Sequence, residues 1–264
     1  MSATASDTVS VKQTFWDRGY AILPGAVDHA TIDAFWSEFE GLRDGDPLLV
    51  FSEYGNLYAG PTLDREKKLR MRVTNLQNRS PRARALATHA SILGALQEIY
   101  GYEPACIQTL TYSQSSRQGA HSDMYLVSPP WIGAYDRNTL CASWVACENA
   151  DERNGALVVY PGSHKIKKPR LEDCANDYGA YVKALGEVCR QHGIEPRPFI
   201  ARKGDVLLWH GDFIHAGSDP VDSLVTRASF VCHYARIASP QQSVPGRATF
   251  MTSREKYVLA DEGS

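Results

Sequence analysis

Two short stretches carry the donor types that a metal ion requires. In GAHSDMYL, residues 119 to 126, His121 and Asp123 stand two positions apart. In LLWHGDFIHAG, His210 and Asp212 repeat the spacing, with His215 close behind. An imidazole nitrogen and a carboxylate oxygen can share one divalent ion. Two imidazoles and one carboxylate leave coordination positions open for small molecules, the arrangement used by non-haem Fe(II) oxygenases. With 8 His in 264 residues, a single His-x-Asp carries little information, so the two pairs compete. If the first stretch is extended, His121, Asp123 and Tyr125 share one face, and the pair converges on a point. A third ligand must then come from elsewhere, and His164, His210, His215 and His233 are the candidates. The rival set, His210, Asp212 and His215, is more compact. Its Gly211-Asp212 step has turn chemistry, however, and an aspartate there more often bonds nearby backbone than metal.

Other elements must position these groups. VKQTFWDRGYAILPG reads as a short helix running into a strand. DHATIDAFWSEFEGLRDG sets Ile32, Phe35, Trp36, Phe39 and Leu42 on one helical face closed by Gly45. After the mixed-charge segment DREKKLRMR, Pro81 can open a helix and Gly101 can end one. From Cys106 onward short β-rich runs follow: CIQTLTY, HSDMYLV, LCASWVACE, GALVVYPG, RPFIARKGDVLLWH and RASFVCHYARI, mostly punctuated by Gly, Pro, Asn or Asp. Helices first and strands after predict an α+β fold with the strands in a sandwich or barrel. One domain over 1–264 is expected, with a disordered tail at 1–10, a β core at 106–237 and a helical insertion at 171–193.

A net charge of -2 and a pI near 6.4 supply no broad positive field, so nucleic acid and anionic membrane are not expected partners. The basic run KIKKPR stands alone and reads as a solvated loop. A small-molecule substrate and a monomer or homodimer are expected. The 6 Cys show no CxxC pair, which suits reduced thiols better than disulfides or a zinc site. With no apolar leader and no long apolar run, a cytoplasmic protein is the expectation.

Taken in order, HSD at 121, SWVACENADERNGALVVYPGSHK from 143, and KGDVLLWHGDFIHAG followed by TRASFVCHY resemble the phytanoyl-CoA dioxygenase family of Fe(II)- and 2-oxoglutarate-dependent oxygenases. DRGYAILPGAVD and MRVTNLQNRSPRARALATHASIL resemble that family's lead-in, so the likeness spans most of residues 11 to 237. It implies a double-stranded β-helix (jelly-roll, cupin-like) core with N-terminal helices packed on one sheet. It implies Fe(II), O2 and 2-oxoglutarate as cofactors, with His121, Asp123 and His215 as the metal ligands and His210 at a non-ligand position. Arg227, twelve positions after His215, matches the family arginine that grips 2-oxoglutarate, and its fork can bind a carboxylate bidentately. Trp144 matches a tryptophan beside the same molecule. Gln108, facing the same way as Leu110 and Tyr112, is expected to line the cavity, and Ser218 or Ser229 to add a hydroxyl. Asn154-Gly155 and Pro161-Gly162 read as turns of the scaffold.

The implied reaction is hydroxylation of a small organic metabolite with release of succinate and CO2; desaturation, cyclisation or epoxidation would draw on the same oxidant. Asp123 argues against halogenation, because related halogenases lack the metal carboxylate. Two other readings compete. A jelly-roll isomerase or hydrolase would use a non-redox metal such as Zn2+ and work without O2. A non-catalytic binding domain would have no reason to keep three ligands and the arginine. Substrate contacts are expected around the open side of the metal, from Tyr112, Arg117, Tyr125, Trp131 and Arg137.

Overall fold

The computed structural model describes residues 10–53, 56–102, 104–126, 135–222, 225–237, 249–250 and 258–259. Side chains are described for all of these except 125–126, 135–137, 237, 249–250 and 258–259. The N-terminal part runs α1 (Val11–Arg18), β1 (Tyr20–Leu23), α2 (His29–Gly45), β2 (Val50–Glu53), β3 (Asn56–Ala59), α3 (Arg65–Arg70), β4 (Arg72–Thr74), α4 (Pro81–Ala87) and α5 (Ala90–Tyr100). The second part runs β5 (Ala105–Tyr112), β6 (His121–Ser122), α6 (Asp123–Leu126), β7 (Tyr135–Ala146), β8 (Leu157–Val159), α7 (Tyr178–Gln191), β9 (Arg197–Phe199), β10 (Val206–His210), β11 (Ile214–Gly217) and β12 (Ser229–Ile237). A short pair, β13 (Thr249–Phe250) and β14 (Val258–Leu259), follows.

Local chemistry explains where the helices begin and end. Ser10, Asp28, Ser80 and Asp177 each cap a helix by accepting a backbone N–H three residues on, which satisfies one of the first turn's free donors. Gly101, at φ 77, closes α5 in the left-handed conformation that glycine adopts without a Cβ clash. The stretch between Pro81 and Gly101 is two helices. His89 is extended, and the Thr88 hydroxyl donates to the Arg84 carbonyl, ending α4.

β1, β10, β7, β12, β5, β4, β2 and β3 form one antiparallel sheet in that order, and β6, β11, β8 and β9 form a second. These are the two sheets of the jelly roll. The period of two in each strand divides the large sheet cleanly. Val206 and Leu208, Cys141 and Val145, and Phe230, Cys232 and Tyr234 face outward, against Phe15, Ile32, Phe35, Phe39, Leu86 and Leu96 of the helices. Leu207 and Trp209, Ala142 and Trp144, and Val231 face inward, toward Leu157, Val159 and Phe199 of the small sheet. On the far side of the small sheet, Ile214 and Ala216 are covered by Tyr181, Leu185 and Cys189 of α7, the helix expected within 171–193. The sequence reading missed β2, β3 and β4, which widen the large sheet past β5.

Candidate metal centre

His121 and His215 are cross-strand partners on β6 and β11, so the register of one antiparallel pair sets their imidazoles side by side, 4.3 Å between ring centroids. Past Ser122 the expected strand does not continue. The Met124 N–H donates to the Gly211 carbonyl at 2.8 Å, and the chain enters the single helical turn α6. Asp123 therefore reaches the site by a strand-to-helix corner, not by alternation along a strand. One ligand atom from each of His121, Asp123 and His215 lies within 4.8 Å of the others. Asp123 Oδ1 stands 3.8 Å from the Nε2 atom of each histidine.

The surroundings prepare these groups to bind a cation. Nδ1 of His121 lies 2.8 Å from the Gly119 carbonyl and Nδ1 of His215 lies 3.3 Å from the Phe213 carbonyl. Each Nδ1–H is thus committed to a backbone oxygen, leaving the Nε2 lone pairs directed at the shared point. Burial, reinforced by His215, pushes His121 down to about 3, and burial pushes His215 below its ordinary value. Both are neutral, and ready to ligate, at pH 7. Burial also penalises the Asp123 charge, but the imidazoles of His215 and His233 outweigh it and keep the carboxylate ionised. Its second oxygen is already engaged: Oδ2 accepts from Trp209 Nε1 at 2.7 Å and faces His233 Nε2 at 3.3 Å. Oδ1 remains for a metal.

The rival His210-Asp212 pair faces away. His210 packs near the rings of Phe15, Trp16 and His164, and its Nδ1 accepts the Asp212 N–H. The Asp212 carboxylate binds side chains, Lys168 at 3.3 Å and the Ser122 hydroxyl at 3.2 Å, where the sequence suggested nearby backbone. Its turn instead buttresses the corner that carries Asp123.

A cavity of about 600 Å³ opens beside the three ligands. On its lining Arg227, two residues before β12, is buried, with Nε and Nη1 lacking hydrogen-bond partners; Trp144 Nε1 on the same lining and Ser229 Oγ at the start of β12 are equally unpartnered. The Trp144 ring lies 5.5 Å from the guanidinium carbon. Burial lowers Arg227 to about 10, so it stays charged at pH 7. Leaving such donors unsatisfied costs about 1–3 kcal/mol each, which a carboxylate ligand would recover. The donor set fits a 2-oxo acid: two oxygens for the metal and a distal carboxylate for Arg227.

The other predicted residues divide. Gln108 and Tyr112 line the cavity as expected. Ser218 does not: its hydroxyl donates to the Ala156 carbonyl at 2.8 Å, whereas the buried Ser229 hydroxyl has no partner. Arg117 is exposed, at φ 50, and its neighbours Ser116 and Gln118 line the cavity in its place. Trp131, and the side chains of Tyr125 and Arg137, lie outside the described residues. Sequence reasoning missed Trp209 and weighed His233 only as a ligand. Alternation along LLWH, with Leu207 and Trp209 on one face, was the available signal for Trp209. Tyr178 was also missed; it lines the cavity and donates to the Gly119 carbonyl at 3.0 Å, the oxygen that orients His121.

A jelly roll that directs two imidazoles and one carboxylate into an internal cavity, with a buried arginine beyond them, defines a class of metal-dependent protein. Residues 15–227 match the sequence model of the phytanoyl-CoA dioxygenase (PhyH) family, and the chain belongs to that family. Peroxisomal phytanoyl-CoA dioxygenase of Rattus norvegicus is 29% identical over 157 residues, which cover 56% of this chain and 42% of that protein. The chain thus aligns with less than half the length of that relative. The Homo sapiens counterpart is 23% identical over 269 residues, 96% of this chain and 75% of that one. Among solved structures, the non-haem α-ketoglutarate-dependent carbocyclase SnoK from nogalamycin biosynthesis superposes with a TM-score of 0.64 at 17% identity, covering 99% of this chain and 95% of SnoK. EctD from S. alaskensis with 2-oxoglutarate and 5-hydroxyectoine gives 0.62 at 18%, covering 89% and 78%. These likenesses show the shared fold. No helix among the described residues is long and apolar enough to cross a membrane.

Proposed function

We propose that this chain is an Fe(II)- and 2-oxoglutarate-dependent oxygenase that hydroxylates a small organic metabolite, the whole of 1–264 acting as one domain. The observation that carries the reading is the pairing of two features in one cavity: three convergent ligand atoms, and the partnerless buried donors of Arg227 and Trp144. His121, Asp123 and His215 would hold the metal on one side and leave the cavity side open. Arg227 and Ser229 would grip the distal carboxylate of 2-oxoglutarate, with Trp144 and Gln108 against its body. Iron and 2-oxoglutarate together supply a two-electron oxidation by O2, in which one oxygen atom enters the substrate and the other leaves in succinate, with loss of CO2.

The chain's own residues supply position and exclusion. Burial keeps His121 and His215 neutral, their backbone bonds fix which ring nitrogen faces the metal position, and Trp209 and His233 hold the far oxygen of Asp123. Leu110, Leu157 and Val231 keep apolar walls around the open side, which shields a reactive centre from water. The relatives' names support the same chemistry: EctD is described with 2-oxoglutarate and SnoK as α-ketoglutarate dependent. The isomerase or hydrolase reading gains nothing from an arginine placed to bind a second carboxylate. A reducing, cytoplasmic setting and a monomer or homodimer complete the proposal; all six cysteines are free. The test is succinate formation across a metabolite panel under O2. Substrate-stimulated succinate that requires Fe(II) supports the reading; turnover under strict anaerobiosis without 2-oxoglutarate overturns it.

A further inference from the structure

The helix α7 does more than cover the small sheet, because its first residue reaches the cavity. Tyr178 lines that space, with Leu171 just upstream of it. Asp177 caps this end of the helix by accepting the Ala180 N–H at 2.8 Å. Tyr181, Leu185 and Cys189 bury the helix against Ala120, Ile214 and Ala216. Tyr178 thus stands on a packed, capped element, which can hold a side chain in one place better than a loop can.

The backbone leading into His121 is gripped from two sides. From β11, the Gly217 N–H donates to the Gln118 carbonyl at 2.9 Å, and His215 pairs with His121 itself. From α7, Val182 presses on Gly119: a Cβ there would lie 2.9 Å from Val182 Cγ2. The φ of Gly119 lies outside the left-handed region, so close approach and not a turn is what demands glycine. Val182 is β-branched and holds essentially one rotamer in a helix, so it cannot easily swing away.

The Gly119 carbonyl has two lone pairs, and each has a partner. His121 Nδ1 lies 2.8 Å from it, and the Tyr178 hydroxyl donates to it at 3.0 Å. Two bonds from different directions fix the plane of this peptide, which in turn fixes the tautomer and tilt of the His121 ring. A continuous chain of contacts then runs from the cavity wall to a metal ligand: Tyr178 ring, Tyr178 hydroxyl, Gly119 carbonyl, His121 Nδ1, His121 Nε2.

Resting on the metal centre assigned above, we propose that Tyr178 is a positioning residue through which α7 sets the aim of His121. The helix is then a working part of the metal centre, acting through the Gly119 carbonyl, while Val182 holds that carbonyl's peptide at the right height.

The test reads the bound ion directly and needs no turnover. The full chain is titrated with Co2+ against a chelating dye, and the visible absorption of the bound Co2+, which reports its ligands and their geometry, is recorded. Tyr178→Phe keeps the ring and removes only the hydroxyl. It should lower Co2+ affinity about three- to tenfold, below the roughly 10–100-fold cost of losing a group that touches the ligand itself, and should change the Co2+ bands. Gly119→Ala should lower the affinity at least as far, and adding Val182→Ala, which removes the atom that the new methyl meets, should recover most of the loss. If metal-free Tyr178→Phe melts early, this rescue decides. An unchanged or higher affinity in folded Tyr178→Phe would overturn the proposal. So would a weaker affinity with unaltered Co2+ bands, which marks an effect on the fold alone, or a Gly119→Ala loss that Val182→Ala does not relieve. Failure of the metal-centre reading shows separately, as wild-type Co2+ binding that survives His121→Ala.

Discussion

Replacing Trp209 by Phe removes one atom group of consequence, the Nε1–H that donates to Asp123 Oδ2 at 2.7 Å. The ring itself is 1% exposed and packs 4.6 Å from the His215 ring, so phenylalanine retains much of the packing. A hydrogen bond to a charged group contributes about 1.5–3 kcal/mol, and each 1.4 kcal/mol is about tenfold in affinity. His233 Nε2, 3.3 Å from the same oxygen, keeps the carboxylate partly oriented, which places the loss at the lower end of that range. Metal affinity should fall about tenfold, in line with the roughly 10–100-fold cost of removing a group that orients a ligand. Combining Trp209→Phe with His233→Asn should lose more than either single change. The assay is competition for Co2+ against a chelating dye, with melting temperature of the metal-free protein as the fold control. Unchanged metal affinity in a folded Trp209→Phe protein would refute the idea that Oδ2 is held so that Oδ1 can ligate.

Three further outcomes follow from the same geometry. Ser229→Ala should weaken 2-oxoglutarate binding several-fold, whereas Ser218→Ala should leave it within twofold, because the Ser218 hydroxyl is spent on Ala156; equal effects in calorimetry would contradict the assignment. His210, lowered to about 4 by burial and then by His164, accepts the Asp212 N–H while neutral. Its folded pKa lies below the unfolded value near 6.5, so its contribution is intact above that pH and is lost as pH falls toward 4. The drop in melting temperature between those limits should be smaller in His210→Gln, and an identical drop would count against it. At Gly211 a Cβ would come within 2.7 Å of the Leu140 carbonyl oxygen, which is backbone and cannot swing aside. Gly211→Ala should therefore cost about 1–3 kcal/mol in denaturant unfolding, and a neutral result would mean that the turn beside Asp123 is more yielding than its contacts indicate.

Much of this site was legible because its chemistry sits in side-chain types at fixed intervals. His121 and Asp123 stood out by type and interval, the resemblance to the phytanoyl-CoA dioxygenase family singled out His215 and Arg227, and strand alternation turned Gln108 and Tyr112 toward the cavity. Alternation gave the wrong reason for Asp123, since a bond from Met124 to Gly211, a partner far along the chain, turns the strand into a helical corner. The roles of Trp209 and His233 depend on how β10, β7 and β12 are registered, and no local pattern states that. Arg72 was hidden in DREKKLRMR, which reads only as a mixed-charge segment until β4 joins the sheet beside β5 and brings it to the cavity lining. Likewise Pro81 and Gly101 marked the outer ends of a helical region, but the break at His89 left no comparable signal.

The central claim is that the three ligands and Arg227 act together on one co-substrate. Calorimetric titration of 2-oxoglutarate into the full chain, with and without Ni2+, in the wild type and in Arg227→Gln, tests it most directly. The account predicts tight binding only with metal present, and a loss of at least a hundredfold in Arg227→Gln while Ni2+ affinity is unchanged. Binding that is indifferent to the metal, or that survives in Arg227→Gln, would contradict it.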